Sequence, residues 1–307
     1  MKFRSLVSIF SCVVIILGLI LYSPDIPVSN LMSKYANQYS KFIEIDGMNV
    51  HYRDQGKGET IILLHGTGAS LHTWDKWTDK LKNSYRVIRL DLPAYGLTGP
   101  HPENKYSISE YSEFLNSFVN QLKLNDFILS GNSLGGSISW YYASVYPEKV
   151  QLLSLLSPGG FLNNDNESPL VIKLARAPVI NKILRYVTPR FFIKNTLKEV
   201  YYDENKLTDL KIDTYRDMIL RENNRKSFIS RSLLKPKDHT NRLKLISAPT
   251  QIIWGNEDAW IPVSNSKFFK DAIANVRIDI MQETGHIPME ERPLESLGLL
   301  LNFINSN

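Results

Sequence analysis

The chain has 307 residues, 43% of them hydrophobic and 22% charged, with a formal net charge of +5. That balance supports a large buried core and excludes a disordered or collagen-like chain, and a single cysteine, Cys12, excludes an internal disulfide framework. No repeat, low-complexity tract or metal-ligand spacing occurs and the basic residues carry no reader motif, so no metal, cofactor or nucleic acid is expected.

At the amino terminus, Leu6 to Tyr22 is a nearly continuous apolar run preceded by Lys2 and Arg4. Its 17 residues sit at the short end of a membrane span, which needs about 17 to 25. No Ala-x-Ala-like site follows Tyr22, so residues 1–22 are expected to remain as a membrane anchor, with cleavage and secretion as the alternative. The leading positive charge puts the amino terminus in the cytoplasm and the rest of the chain on the outer side, periplasmic or extracellular. Cys12 has too short an apolar run before it for a lipid-attachment cysteine. Residues 23–40, polar with prolines, are expected to be a tether.

Beyond the tether, Phe42 to Tyr52 alternates around Asp46-Gly47 as an antiparallel hairpin does. Gly56-Lys57-Gly58 lacks the spacing of a phosphate loop and reads as a turn. The run Ile61 to Leu64 predicts a buried strand that ends in His65-Gly66-Thr67-Gly68, where the amide of Thr67 is placed to donate to an anion. His65 is expected to be structural. Tyr85 to Leu92 supplies a further strand.

Asp126 to Ser130 predicts a buried strand and Ser137 to Tyr146 a helix, with Gly131-Asn132-Ser133-Leu134-Gly135-Gly136 between them. A serine on so sharp a turn needs glycine on both sides, because side chains at Gly131 and Gly135 would meet neighbouring elements. The turn lifts the serine oxygen off the sheet and leaves the amide of Leu134 at a helix N-terminus, pointing where an oxyanion would develop.

After the strand Gln151 to Ser157 comes an insertion, 161–246, with helical runs such as Leu170 to Val187 and Phe192 to Tyr202 broken by Pro178 and Pro189. It reads as a helical cap over the carboxyl edge of the sheet. Phe161, Leu162, Phe191, Phe192, Tyr201 and Tyr202 suggest an acyl or aryl pocket there, or simply the packing of cap helices. The insertion holds 18 Lys/Arg against 10 Asp/Glu, whereas the rest of the chain holds 18 against 21. The excess suits anionic lipid surfaces or acidic substrates, and equally a solvated helical face.

Thr250 to Gly255 and Val276 to Met281 predict the last two strands, and Pro293 to Ile304 a closing amphipathic helix. Asp258 and His286 fall in the loops after those strands. Glu257 neighbours Asp258 but is one residue out of phase with the pattern Gly-x-x-Asp-x-x-x-Pro. Serine, acid and histidine in that order, each at the end of a predicted strand, point to a nucleophile, the orienter of a base, and the base itself. His51, His72, His101 and His239 have no evident partners in the sequence and are expected to be surface or packing residues.

These segments, together with Asp91-Leu92-Pro93-Ala94-Tyr95-Gly96 and Gly285 through Pro293, resemble the α/β-hydrolase superfamily, in its esterase, lipase and carbon–carbon hydrolase branch. The likeness spans about residues 42 to 305 apart from the insertion. It implies a mostly parallel eight-stranded sheet with helices on both faces, formed by 41–160 and 247–307. It also implies Ser133, Asp258 and His286 as a triad, with Thr67 and Leu134 at the oxyanion hole. Serine at position 133 argues against the haloalkane dehalogenases and epoxide hydrolases of this fold, whose nucleophile is aspartate. The expected activity is hydrolysis of a small-molecule carboxylic ester with an apolar acyl or aryl part. The alternatives are carbon–carbon cleavage of a vinylogous diketone, or non-catalytic binding of a small apolar ligand in the same pocket.

Overall fold

The computed structural model describes residues 18–161 and 168–307. Eight strands form one sheet: β1 (Ser40–Ile45), β2 (Met48–Gln55), β3 (Thr60–Leu64), β4 (Arg86–Leu90), β5 (Phe127–Asn132), β6 (Val150–Leu156), β7 (Thr250–Gly255) and β8 (Val276–Met281). Their order is β1-β2-β4-β3-β5-β6-β7-β8. The β1–β2 and β2–β4 pairs are antiparallel and all others parallel, so the carboxyl ends of β3 to β8 share one edge. The opening hairpin turns at Asp46 and Gly47, both at positive φ (50° and 75°), as a two-residue type I′ turn requires.

Central strands are apolar on both faces because helices cover both. In β3, Ile62 and Leu64 join the core beneath α3 (Ile108–Gln121), α4 (Leu134–Val145) and α10 (Ser266–Ala272), whereas Ile61 and Leu63 join the core beneath α2 (Asp75–Leu81) and α12 (Pro293–Ile304). Each such side chain contributes ~1.5–3 kcal/mol by leaving water. A capping box starts α3, in which Ser107 Oγ accepts from the Glu110 amide at 3.4 Å and Glu110 Oε2 accepts from the Ser107 amide at 2.8 Å. Trp77 Nε1 donates to Ser296 Oγ at 3.1 Å and ties α2 to α12.

Between β6 and β7 the described residues form five α-helices: α5 (Leu170–Arg176), α6 (Ile180–Leu184), α7 (Arg190–Lys198), α8 (Asp209–Leu220) and α9 (Asn224–Ser232). Pro178 and Pro189 fall in the breaks between the first three, where a proline ends a helix by removing a donor. The last part of the insertion belongs with the core. A short 3-10 turn, Thr240–Leu245, buries Leu243 against it, and Arg242 Nε donates to Ser144 Oγ of α4 at 3.2 Å.

Two expectations are corrected by tertiary contacts. Residues 23–40 do not run free as a tether. They form α1 (Val28–Tyr35) and dock on the cap, with Ile26 N donating to Leu220 O (2.7 Å), Asp25 paired with Arg225 (2.6 Å), and Lys34 Nζ and Tyr35 OH both on Asp217 (2.7 and 2.8 Å). The histidines expected to lack partners have them. His51 Nδ1 meets Asp91 Oδ2 at 2.8 Å in the core, His72 contacts Ser70 and packs edge-on to Tyr215, His101 Nδ1 accepts from the Glu103 amide, and His239 packs on Tyr141. The expected anchor, residues 6–22, lies mostly outside the described residues. Among those described, no helix is long and apolar enough to cross a membrane.

Candidate active site

The turn between β5 and α4 holds Ser133 at φ 54° and ψ −112°. Such a conformation costs of order 1–3 kcal/mol and persists only where surrounding bonds over-determine it. Here the Ser133 amide donates to Leu156 O at 3.0 Å, and its carbonyl accepts from Ser137 N and Gly159 N at 2.9 and 3.1 Å. A Cβ on Gly131 would come within 2.3 Å of Gly135 O, and one on Gly135 within 2.2 Å of Leu64 O. Both glycines are therefore steric necessities of the turn.

Asp258, at the end of β7, accepts from the Trp260 and Ile261 amides through Oδ1 (2.8 and 2.9 Å) and meets His286 Nδ1 through Oδ2 at 2.7 Å. Glu257 instead accepts from the neighbouring Asn256 side chain at the exposed edge of the loop. A carboxylate on Nδ1 selects the tautomer that leaves Nε2 as acceptor. Among the described residues that Nε2 is buried with no partner. Ser133 and His286 line one cavity but make no hydrogen bond to each other. Their loops are joined by Asn132, whose Nδ2 donates to His286 O at 3.0 Å and to Leu156 O at 3.1 Å. In an unliganded site the nucleophile–base contact is often long and tightens with substrate.

Thr67 lies on the same cavity, after β3, and Leu134 opens α4. Among the described residues neither amide donates to a protein acceptor, so both are available to an oxyanion. His65 is structural: its Nδ1 bonds Gly66 O (2.7 Å), its Nε2 accepts from Leu92 N (3.0 Å), and burial lowers its pKa to about 4, which keeps it neutral. Asp91 braces the adjacent loop by accepting from the Leu71 and Leu97 amides, each at 2.8 Å. Burial raises its pKa, but the His51 contact and neighbouring charges outweigh that and bring it down to about 2.

The cap reaches directly onto the histidine loop. The His286 amide donates to Val200 O at 2.9 Å, Glu291 accepts from the Asp203 and Gly285 amides (both 2.7 Å), and Trp260 Nε1 donates to Glu199 Oε2 at 3.2 Å. On α11 (Pro288–Glu291), Glu290 accepts from Tyr201 OH (2.7 Å), Tyr215 OH (2.5 Å) and Thr73. Burial, and then the Glu290 charge, push both phenols well above their ordinary range, so they remain donors.

A cavity of about 1090 Å³, open space at its mouth included, stands over Ser133. Of the five described cap residues expected to line it, Phe192 alone does so. Phe161 packs on Phe268 and Phe269, Leu162 lies outside the described residues, Tyr201 is turned to Glu290, and Phe191 and Tyr202 are exposed. The cap wall is instead built by residues such as Val171, Leu184, Leu197, Met218 and Phe228. Which face of these short helices turns inward depends on how they pack.

An eight-stranded sheet carries a strained serine turn and an acid–histidine pair at one edge. A family model for the alpha/beta hydrolase fold matches residues 59–293. The chain belongs to the α/β-hydrolase fold family. It is 30% identical over 261 residues to monoacylglycerol lipase ABHD6 of Bos taurus, covering 82% of this chain and 77% of that protein. It is 28% identical over 278 residues to the 2-hydroxy-6-oxononadienedioate/2-hydroxy-6-oxononatrienedioate hydrolase of Escherichia coli O81 (strain ED1a), covering 86% and 95%. The crystal structure of a membrane phospholipase A, a bacterial virulence factor, superposes with a TM-score of 0.75 at 23% identity over 100% of this chain and 99% of that one, a likeness of fold. The α/β-hydrolases similar to this chain thus include both a lipase and a carbon–carbon hydrolase.

Proposed function

We propose that the protein is a serine hydrolase of carboxylic esters with an apolar acyl or aryl part, held at a membrane by residues 6–22 with its folded domain on the outer side. The observation that carries this reading is the buried, unpartnered Nε2 of His286 on the wall of the cavity that also holds Ser133. Ser133 Oγ attacks the ester carbonyl as His286 Nε2 takes its proton, and Asp258 stabilises the imidazolium. The amides of Thr67 and Leu134 receive the tetrahedral oxyanion. Collapse expels the alcohol, which takes the proton from His286 and leaves an acyl group on Ser133. Water, deprotonated by the same nitrogen, then releases the acid and restores the serine. The likeness to a monoacylglycerol lipase supports an ester substrate.

The likeness to a hydrolase of a dienedioate favours a second reading, cleavage of a carbon–carbon bond. Such an acid needs cationic partners. Among the described cavity residues Arg225 is the sole Lys or Arg, and Asp25 already neutralises it at 2.6 Å. The apolar lining therefore supports the ester reading. A fluorophosphonate probe is expected to label the protein and to fail on Ser133→Ala, with turnover of medium-chain monoacylglycerol or aryl esters lost in that variant. Ester turnover that survives Ser133→Ala refutes the mechanism, and turnover of a vinylogous diketone in preference to esters selects the second reading.

A further inference from the structure

The outer surface of the cap carries a feature that ester hydrolysis does not require. Leu170, Val179, Ile180, Ile183, Tyr186 and Phe191 are each 40–65% exposed along α5, α6 and the start of α7. Several sit beside residues that line the cavity from within: Leu170 beside Val171, Ile183 beside Leu184, and Phe191 beside Phe192. The outer face of these helices thus carries large apolar side chains among its exposed lysines. A solvated surface helix would instead show a polar outer face.

Residues 18–23 lie at this same surface. Ser23 N donates to Tyr186 O at 2.8 Å and Tyr22 bridges Val187, so the described end of the apolar run, residues 18–22, lies next to α6. Its last part, with Leu19 at 74% and Ile20 at 71% exposure, extends the exposed apolar surface. From Ser168 to Lys198 the sequence holds seven Lys/Arg and no Asp/Glu; Arg190 pairs with Asp209 and Asp213, Lys198 with Glu204, and Arg176 bonds Ser232 O, while Lys182 and Lys194 are exposed. Basic side chains with apolar stems around an apolar patch match the boundary between acyl chains and anionic headgroups. A second copy of the same face would bring like charges together, which is costly at an interface.

We propose that the outer face of α5, α6 and the start of α7 rests in the interfacial layer of a lipid bilayer with anionic headgroups, beside the emerging amino-terminal segment. Only one helical layer then separates the lipid from the cavity. This rests on the anchor reading of residues 6–22 and places the cap, as well as the anchor, in contact with lipid. Val179, at φ 72° between α5 and α6, marks the sharp turn that exposes this edge.

The test uses the full chain carrying Cys12→Ser and one new cysteine at a time: Ile183→Cys, Phe191→Cys, Leu19→Cys, or Leu294→Cys as an exposed reference in the core. Each is labelled with an environment-sensitive fluorophore and reconstituted in phosphatidylcholine/phosphatidylglycerol vesicles containing a doxyl-labelled lipid. Labels at 183 and 191 are expected to be quenched by roughly half or more of the extent seen at 19, with little quenching at 294. Quenching confined to 19 overturns the cap contact while leaving the anchor intact. No quenching at any position overturns both. Shielding at 183 that follows protein density and not lipid quencher makes the face a contact between copies and likewise overturns the proposal. None of these signals depends on turnover, so the outcome is separable from that of the ester reading, and turnover of a short water-soluble ester in each labelled variant checks that the fold is retained.

Discussion

The core and the cap are held by different mixtures of the same forces. Around β3 to β7 the contacts are apolar and two-sided, with Ile61 to Leu64 removed from solvent on alternating faces, and the site loops hang from one edge of that sheet. The cap meets the histidine loop and the amino-terminal segment through mixed contacts: Ile193, Leu197 and Tyr215 share a buried cluster with Ile287 and Met289, and Met218 packs with Leu31, while Glu290 meets two tyrosines, Asp217 meets Lys34 and Tyr35, and Arg225 meets Asp25. Apolar burial sums over many atoms and is hard to undo locally, whereas a few hydrogen bonds contribute ~1 kcal/mol each and can be exchanged one at a time. The core thus positions the chemistry through apolar burial, and the cap adds polar contacts that shape what reaches it.

This contrast can be broken hardest in the core. Asp258→Asn leaves packing intact but removes the carboxylate that sets the His286 tautomer, and is expected to lower kcat for a short aryl ester about 10,000-fold with an unchanged melting curve. Gly135→Ala drives a Cβ against Leu64 O and is expected to destabilise the fold by about 3–4 kcal/mol, seen as lost soluble expression or a lowered urea midpoint. His65 sharpens the comparison through pH. Its folded pKa of about 4 lies below the ordinary 6.5, so the unfolded chain binds the extra proton between those values and stability falls as pH drops through that window. The loss is expected to reach ~3 kcal/mol by pH 4 in denaturant titrations of the detergent-solubilised chain, and to flatten in His65→Asn. Glu290→Gln tests the cap side with the smallest effect, ~1–2 kcal/mol in stability and a several-fold fall in kcat at near-constant KM, because it loosens the grip on the histidine loop and spares Ser133. A fall confined to KM would mean that this contact shapes the cavity without positioning the histidine.

The parts legible from sequence were those governed by local sterics and short periodicity. Asp46-Gly47 announces its turn because both residues must take positive φ. The predicted strand Val276 to Met281 and helix Pro293 to Ile304 coincide with β8 and α12, since apolar runs bounded by loop formers leave few choices of end. Gly131 and Gly135 flank the serine because no side chain fits there, a requirement visible in the motif itself. The partners of His51, 40 residues from Asp91, and of Asp25, 200 residues from Arg225, carried no such local signal. Nor did the inward face of the cap, where Phe192 lines the cavity and the adjacent Phe191 lies exposed.

By itself the amino-acid sequence determined the alternation of strands and helices and the strained turn at Ser133, because those follow from periodicity, glycine sterics and spacing along the chain, and the resemblance of its motifs implied the family of the fold. The tertiary structure alone decided which cap residues form the cavity, that Val200 and Glu290 brace the histidine loop, and that residues 23–40 are docked. Those outcomes depend on how short helices rotate and pack, and many packings are compatible with one pattern of apolar residues until distant polar partners select among them.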